Sequence, residues 1–246
     1  MTRRGGSFSH VPTARRIFGS PAELAQAAAE YLAGVVDGAV AARGQCAVAL
    51  SGGHTPRPVY ERLAAPPLVT RVPWHAVEVF FGDERAVGPD DPNSNYRMAA
   101  DAMLDRVPLD PARVHRIRAE QPDRDAAARE YERVLPEHLD LLLLGMGADG
   151  HTASLFPGAA ALREHRRRVV AVSGAGPVAG RISITPPVIA AAREIVVLVA
   201  GPDKAAAVAA ALDGAGPPEA LPIRLALRGT WFLTADAAAR WKEAMA

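Results

Sequence analysis

An α/β fold, with a mostly parallel sheet covered by helices on both faces, is the architecture this sequence predicts. Short apolar runs of strand character alternate with longer, Ala-rich runs of helical character along the whole chain. Several of the short runs, such as CAVAL at 46–50 and LLLL at 141–144, read as buried strands. These runs end abruptly in polar loops rich in Gly, Asp and hydroxyl residues, and in α/β proteins such loops collect ligands at the carboxyl ends of the strands. No internal repeat and no linker-like change of composition interrupts the pattern. Residues 14–246 are therefore expected to form a single α/β domain behind a flexible tail at 1–13.

Arg15–Phe18 is the first predicted strand. Ser20-Pro21 opens a helix: Ser suits the N-cap, Pro the first helical position, and Glu23 stands three residues after Ser20. The helix runs to about Ala42, weakened by Gly34 and Gly38. Cys46–Leu50 is a buried strand, residues 51–56 its exit loop, and 58–63 the start of the next helix. Val77–Phe81 is a strand followed by a polar stretch, Gly82-Asp83-Glu84-Arg85, and a loop at 88–93. Ser94 or Asn95 caps a helix to about Leu104. Residues 114–117 are predicted as a short strand and 123–135 as a helix, and the strand at 141–144 follows. REHRRR at 163–168 reads as a solvated charge run. Strands are expected at 168–172, 181–185 and 195–200, with a turn-rich loop at 173–180. Gly201-Pro202-Asp203-Lys204 leads into a helix of Ala, Val and Leu. A loop at 214–218, a strand at 230–233 and a last helix at 235–245 complete the chain.

Composition narrows the function classes. A chain of 246 residues, 49% hydrophobic, is globular and long enough to bury a sizeable core. The balance of 28 Lys and Arg against 27 Asp and Glu gives no support for nucleic-acid binding or for a basic membrane surface. One cysteine, Cys46, leaves no internal disulfide framework and no Cys-based zinc site, and fits a reducing cytoplasm. Cys46 lies in an apolar strand and reads as packing rather than nucleophile. No apolar stretch approaches the ~18 residues of a membrane span. The basic N-terminus, MTRRGGSFSHVPT, lacks the apolar region of a secretory signal.

Gly145-Met146-Gly147-Ala148-Asp149-Gly150 matches G-x-G-x-x-G after a strand. Two features argue against a dinucleotide fingerprint. Leu155-Phe156-Pro157-Gly158 would end a helix within two turns, and no acid occurs at 169–172, the ~20-residue offset such sites use. The glycines instead let the backbone turn tightly and approach a ligand. Asp149 and His151 in that loop offer a general base with a carboxylate to orient it, since an unperturbed imidazole titrates near about pH 6.5. A lone His is more often structural, but its place in a Gly-rich loop after a buried strand favours chemistry.

Ala49-Leu50-Ser51-Gly52-Gly53 has two readings. It is close to the nucleophile elbow G-x-S-x-G, with Ala for the first Gly, and Ser51, an Asp and His151 could be drawn as a triad. It also reads as an anion cradle, in which Gly52 and Gly53 present backbone N–H groups while Ser51 and Thr55 add hydroxyls. A turn without a ligand is the third possibility. Arg85, Arg181 and Lys204 each stand at the edge of a predicted strand. If those edges share a rim, three cations face one pocket and suit a phosphorylated or acidic small molecule. No spacing of His, Asp and Glu reads as a metal site, and no cofactor is expected.

Taken together, ALSGGHTPRPVYERL at 49–63, VFFGDERAVGPDDPNSNYRMA at 79–99, LLLLGMGADGHTASLFPG at 141–158, RISITPPVI at 181–189 and VLVAGPDKAAAV at 197–208 resemble the 6-phosphogluconolactonases. The pieces occur in that family's order and span most of the chain. The related glucosamine-6-phosphate deaminases share GxxxDGHIA but usually continue into FNEP, so Leu155-Phe156-Pro157-Gly158 favours the lactonases. The resemblance implies a modified Rossmann-like fold, like that of the deaminases and ribose-5-phosphate isomerase, without a nucleotide. It implies metal-free hydrolysis of 6-phosphoglucono-δ-lactone to 6-phosphogluconate in the oxidative pentose phosphate pathway. His151 would be the general base, with Asp149 and Arg85 at the reacting end. Ser51, Gly52, Gly53, His54, Thr55, Arg57, Asn95, Arg181 and Lys204 would hold substrate and its phosphate. His54 stands where Ser is frequent in the family, Arg57 where Lys is frequent, and Thr234 where Asp often follows the Trp-Phe pair. The expected partner is a small sugar-phosphate lactone, with no nucleic acid or membrane, and the expected state a cytoplasmic monomer or weak homodimer. Rival classes are a serine hydrolase using Ser51, an aldose–ketose isomerase or deaminase acting on a sugar phosphate, and a non-catalytic sugar-phosphate sensor.

Overall fold

Local signals in the sequence decide where the first long helix starts and stops. In the computed structural model, which describes residues 14–174 and 178–245, helix α1 spans Pro21–Arg43. The Ser20 hydroxyl accepts from the Glu23 N–H at 3.2 Å, and the Glu23 carboxylate accepts from the Gly19 N–H at 2.9 Å. That is a reciprocal cap. At the other end Gly44, at φ 79°, turns the chain and returns its N–H to the Val40 carbonyl at 2.7 Å. The tail expected at 1–13, and part of the loop expected at 173–180, lie outside the described residues.

Strands β1 (Arg15–Phe18), β2 (Cys46–Leu50), β3 (Val77–Phe81), β4 (Asp83–Arg85), β5 (Leu141–Gly145), β6 (Val169–Ser173), β7 (Gly180–Ile184), β8 (Glu194–Val199) and β9 (Thr230–Thr234) form two sheets. The larger is six-stranded and parallel, in the order β1-β9-β8-β5-β2-β3. Leu141, Leu142, Leu143 and Leu144 are all buried. Successive strand residues point to opposite faces, so both faces of this sheet are covered. The helices packed around the two sheets are α1, α2 (Arg57–Leu63), α3 (Leu68–Arg71), α4 (Asn95–Ala102), α5 (Arg124–Val134), α6 (Pro186–Ala191), α7 (Ala205–Leu212) and α8 (Ala235–Ala238).

Strand order fixes where a ligand can enter. From β2 the chain moves outward to β3, whereas from β5 it moves the other way, to β8 and then β9. The order therefore reverses between β2 and β5, and loops leaving adjacent carboxyl ends diverge at such a point to leave a crevice. The β2–β5 pairing is correspondingly short, Val48 with Leu141 and Ala49 with Leu142.

The second sheet was not expected. Asp83-Glu84-Arg85, given above only as a polar stretch after β3, is strand β4 of an antiparallel sheet ordered β4-β7-β6. Gly82 is the joint between the sheets: its N–H donates to Leu50 of β2 at 2.9 Å and its carbonyl accepts from Ile184 of β7 at 2.9 Å. Residues 114–117, expected as a strand, make one bridge to the edge of β3, Val79 with Val114. The helix expected at 235–245 is split into α8 and a 3₁₀ turn at Lys242–Met245, a break that lets Trp241 fold back into the core.

The charge run at 163–168 is only partly solvated. The Arg167 guanidinium meets the Glu132 carboxylate at 2.6 Å, and Arg168 donates to the Leu135 and Pro136 carbonyls just beyond α5. Arg224 closes α7 in the same manner, on Ala211 at 2.6 Å and Gly214 at 2.7 Å. Arg228 does so after α6, on Ile189 at 3.0 Å and on Ala192. Cations suit these ends because the last carbonyls lack intrahelical donors and carry the negative pole. Cys46 is fully buried, and burial together with the nearby Asp140 carboxylate pushes its thiol up to about 12, so it is packing rather than a nucleophile.

Candidate active site

Three loops leave the carboxyl ends of β2, β5 and β8 side by side. With the adjoining β4 and β7 they enclose a cavity of about 420 Å³. Ser51, Gly52, Gly53, His54 and Thr55 line it from β2. Gly145, Met146, Gly147, His151 and Ala153 line it from β5, and Asp203 and Lys204 from β8. Asp83, Arg85, Asn95 and Arg181 close the remaining wall. The three cations read from strand edges thus share one rim. A larger cavity, about 450 Å³, lies between α4, the 114–118 segment and α5, away from this rim and the loops around it.

The β2 loop is pinned from beneath. The Tyr60 hydroxyl of α2 accepts from the Ser51 N–H at 3.0 Å and donates to the Ser51 carbonyl at 2.8 Å. Ser51 is buried, and its Oγ makes no hydrogen bond among the described residues. No Ser51–His151 bond is present, so the relay a serine nucleophile needs is not formed. Gly52 is sterically required: a Cβ there would lie 1.7 Å from Asn95 Oδ1.

The β5 loop is a closed turn rather than the start of a helix. The Gly147 N–H donates to His151 O at 2.9 Å and the Gly150 N–H to Gly147 O at 3.0 Å. The helix a dinucleotide fingerprint must open is absent, in keeping with the sequence argument. His151 Nδ1 lies 2.6 Å from Asp149 Oδ1, which also accepts the His151 backbone N–H at 3.1 Å. Burial opposes ionisation of Asp149, but the His151 N–H and imidazole outweigh it and hold the carboxyl below its ordinary range. An ionised Asp149 accepts a hydrogen bond from Nδ1–H, which leaves the lone pair on Nε2. A Cβ on Gly147 would lie 2.1 Å from the imidazole, and the Phe156 ring sits 4.7 Å from it. Ala153 occupies the left-handed region at φ 48°, a strain that the surrounding bonds must sustain.

On the opposite wall, Arg85 and Arg181 face each other across the β4–β7 ladder. Like charges directly opposite are unfavourable. Asp83 offsets part of this, with Oδ2 3.9 Å from Arg181 Nη1. Its carboxylate also accepts from Asn95 Nδ2 at 2.9 Å and Ser154 Oγ at 2.6 Å, tying the β5 loop to β4. Burial pulls the Arg181 guanidinium down, Asp83 pushes back, and Arg85 adds to the lowering. Arg85 Nη1 donates to Asn95 Oδ1 at 2.6 Å and to the Asn93 carbonyl at 2.8 Å. Lys204 follows β8 with Nζ 3.0 Å from Asp203. An anion with several oxygens suits this array of fixed cations and backbone N–H groups.

Two predicted residues stand apart. Arg57 does not line the cavity; it pairs with Glu61 at 3.0 Å and lines an adjacent one. Asp149 acts on the cavity through His151. Thr234, which departs from the family's frequent Asp, accepts the Gly201 N–H at 3.2 Å and so braces the turn before Lys204. Asp83, Ser154 and Phe156 had no role assigned in the sequence. All three sit inside quoted motifs, but only the fold brings Ser154 to Asp83. Among the described residues, no group of three or more His, Cys, Asp and Glu gathers as a metal site, and no helix is long and apolar enough to cross a membrane.

The family described as glucosamine-6-phosphate isomerases/6-phosphogluconolactonase matches residues 19–233. The chain belongs to this family. A relative from Streptomyces coelicolor named 6-phosphogluconolactonase is 41% identical over 235 residues, 88% of this chain and 90% of its own. One of the same name from Mycobacterium tuberculosis is 40% identical over 234 residues, 88% and 94%. Among solved structures, the 6-phosphogluconolactonase of Trypanosoma brucei aligns with a TM-score of 0.82 at 27% identity, covering 94% of this chain and 99% of that one. A monomeric glucosamine-6-phosphate deaminase aligns with a TM-score of 0.82 at 22% identity over 92% and 99%, and shares the fold.

Proposed function

We propose that this chain hydrolyses 6-phosphoglucono-δ-lactone to 6-phosphogluconate, the lactonase step of the oxidative pentose phosphate pathway, with His151 as general base. The observation that carries the reading is the His151–Asp149 pair at 2.6 Å, beside a cavity also lined by the cations Arg85, Arg181 and Lys204. The names of the relatives at about 40% identity point the same way. The Ser51–Thr55 loop, Arg181 and Lys204 bind phosphate, and Arg85 with Asn95 faces the lactone.

A lactone is an activated ester, so water can add to its carbonyl without a covalent intermediate. Nε2 of His151 removes a proton as the water oxygen bonds to the carbonyl carbon, which makes an oxyanion and an imidazolium. Arg85, or a backbone N–H of the 145–150 loop, stabilises the oxyanion. Collapse breaks the bond from the carbonyl carbon to the ring oxygen, and that oxygen takes the imidazolium proton. General-base help of this kind contributes about 10²–10⁴ in rate, and one oxyanion donor about 10²–10³. Phosphate binding away from the carbonyl supplies orientation. A cytoplasmic location, and a monomer or weak homodimer, complete the proposal; sedimentation at several concentrations checks the assembly state.

The test is lactone hydrolysis with freshly generated substrate, corrected for spontaneous hydrolysis and run with and without chelator. Acceleration that survives chelation is expected. A folded protein that gives no acceleration would overturn the proposal. Solvent deuterium entering a product carbon would point to the isomerase or deaminase class, and binding of 6-phosphogluconate without turnover to a sensor.

A further inference from the structure

β4 alternates its side chains. Asp83 and Arg85 line the cavity, and Glu84 between them turns away from it into the protein, where it is 3% exposed. Among the described residues no cation lies within salt-bridge distance of it, though its charge works against the burial that lowers the Arg181 pKa. Its carboxylate instead accepts four hydrogen bonds: from the N–H of Arg85 at 2.8 Å, the N–H of Asn95 at 2.8 Å, the N–H of Tyr96 at 2.8 Å and the hydroxyl of Ser94 at 2.9 Å. Three of these donors belong to the start of α4, whose first N–H groups have no partner within the helix. One carboxylate thus staples the α4 start to the strand that carries Arg85. Burying an unpaired carboxylate is costly, and burial does raise the Glu84 pKa despite these bonds. A neutral cap would serve the helix as well.

What the staple holds is the seat of Arg85. The guanidinium is oriented by the Asn93 carbonyl and by Asn95 Oδ1, both in the segment that Glu84 fixes. The Asn95 amide in turn donates to the Asp83 carboxylate and to the Asp83 carbonyl, each at 2.9 Å. We infer that Glu84 is a positioning residue for the reacting end of the site: it sets Arg85 and Asn95 against the lactone carbonyl without touching substrate. This rests on the lactonase reading above. The phosphate-binding groups stand on other elements, the β2 loop, β7 and the turn after β8. Loss of Glu84 should therefore lower kcat and leave KM nearly as it was.

The experiment is a double-mutant cycle on lactone hydrolysis with Glu84→Gln, Arg85→Ala and the double variant, at matched folded concentration. The amide keeps the size of the side chain but puts an NH₂ group against donors. Glu84→Gln should lower kcat roughly 10- to 100-fold, as misplacement of a reacting-end group does, with KM within about threefold. In the Arg85→Ala background the same change should cost little further kcat. Equal losses in both backgrounds, or a rise in KM with kcat retained, would overturn the role. If Glu84→Gln does not fold, Ser94→Ala removes one of the four bonds and enters the same cycle with the same criteria. Wild type is the internal control: turnover by wild type with additive losses defeats this inference alone, whereas no turnover by folded wild type defeats the lactonase reading and this inference with it.

Discussion

Asp140 and Asp83 are both buried aspartates beside arginines, at opposite ends of the six-stranded sheet, and their surroundings differ in kind. Asp140 precedes β5 at the amino end. It accepts from Arg43 at 2.8 Å and from the Ala47 N–H at 2.9 Å, and lies 3.4 Å from Arg193. Its charge is matched by two cations at close range. Asp83 follows β3 at the carboxyl end. Its short contacts are to neutral groups, Asn95 and Ser154, and its nearest cation, Arg181, is 3.9 Å away. The acid there arranges its neighbours and offsets part of the charge of the two arginines that face each other across the ladder. Charge closed at the amino end contributes to stability, and charge left facing a cavity at the carboxyl end contributes to binding.

The largest expected effect on KM is at Arg181. Arg181→Ala should raise KM for the lactone about 10- to 100-fold, the scale of a lost charge-assisted contact to an anion. Arg181→Lys should recover part of it, because an ammonium is not a planar fork. An unchanged KM would break the contrast at the carboxyl end. Asp140→Asn tests the other end: urea unfolding should show a loss of about 1–3 kcal/mol, held down by the solvent exposure of both arginines. Activity per folded molecule should not change, and a fall in kcat would mean that the two ends are not separate. Ser51→Ala sharpens the picture of the cradle. The hydroxyl makes no hydrogen bond among the described residues, so stability should hold while KM rises about 2- to 10-fold. Abolished turnover would instead favour a serine nucleophile.

The smallest effect concerns pH. The folded-state pKa of Asp149 is depressed, so any stability from its bonds to His151 is present above the unfolded pKa and is lost only as pH falls through the lower folded value. Between pH 4 and neutrality, above the ordinary Asp range of about 3.9, Asp149 stays ionised and should add no inflection to kcat/KM. An Asp149→Asn variant that removes an acid limb in that window would contradict this.

Much of this was legible in the sequence, for local reasons. The α1 caps involve residues three and four apart, and buried parallel strands are apolar along their length, so both are written in short windows. Asp149 and His151 are two residues apart, and their pairing follows from the turn that joins them. What escaped was set by distant partners. Asp83-Glu84-Arg85 is a strand only because β7, about a hundred residues later, pairs with it. Arg167 and Arg168 read as solvated because Glu132 and the end of α5 lie more than thirty residues earlier. Arg57 sits in a cavity-like motif but turns to Glu61 on its own helix.

The most direct measurement is kcat of His151→Gln on fresh lactone, paired with its affinity for 6-phosphogluconate. A fall in kcat of about 10²–10⁴ with the product affinity unchanged is what general-base catalysis by His151 predicts. Near-normal kcat in the folded variant would contradict it.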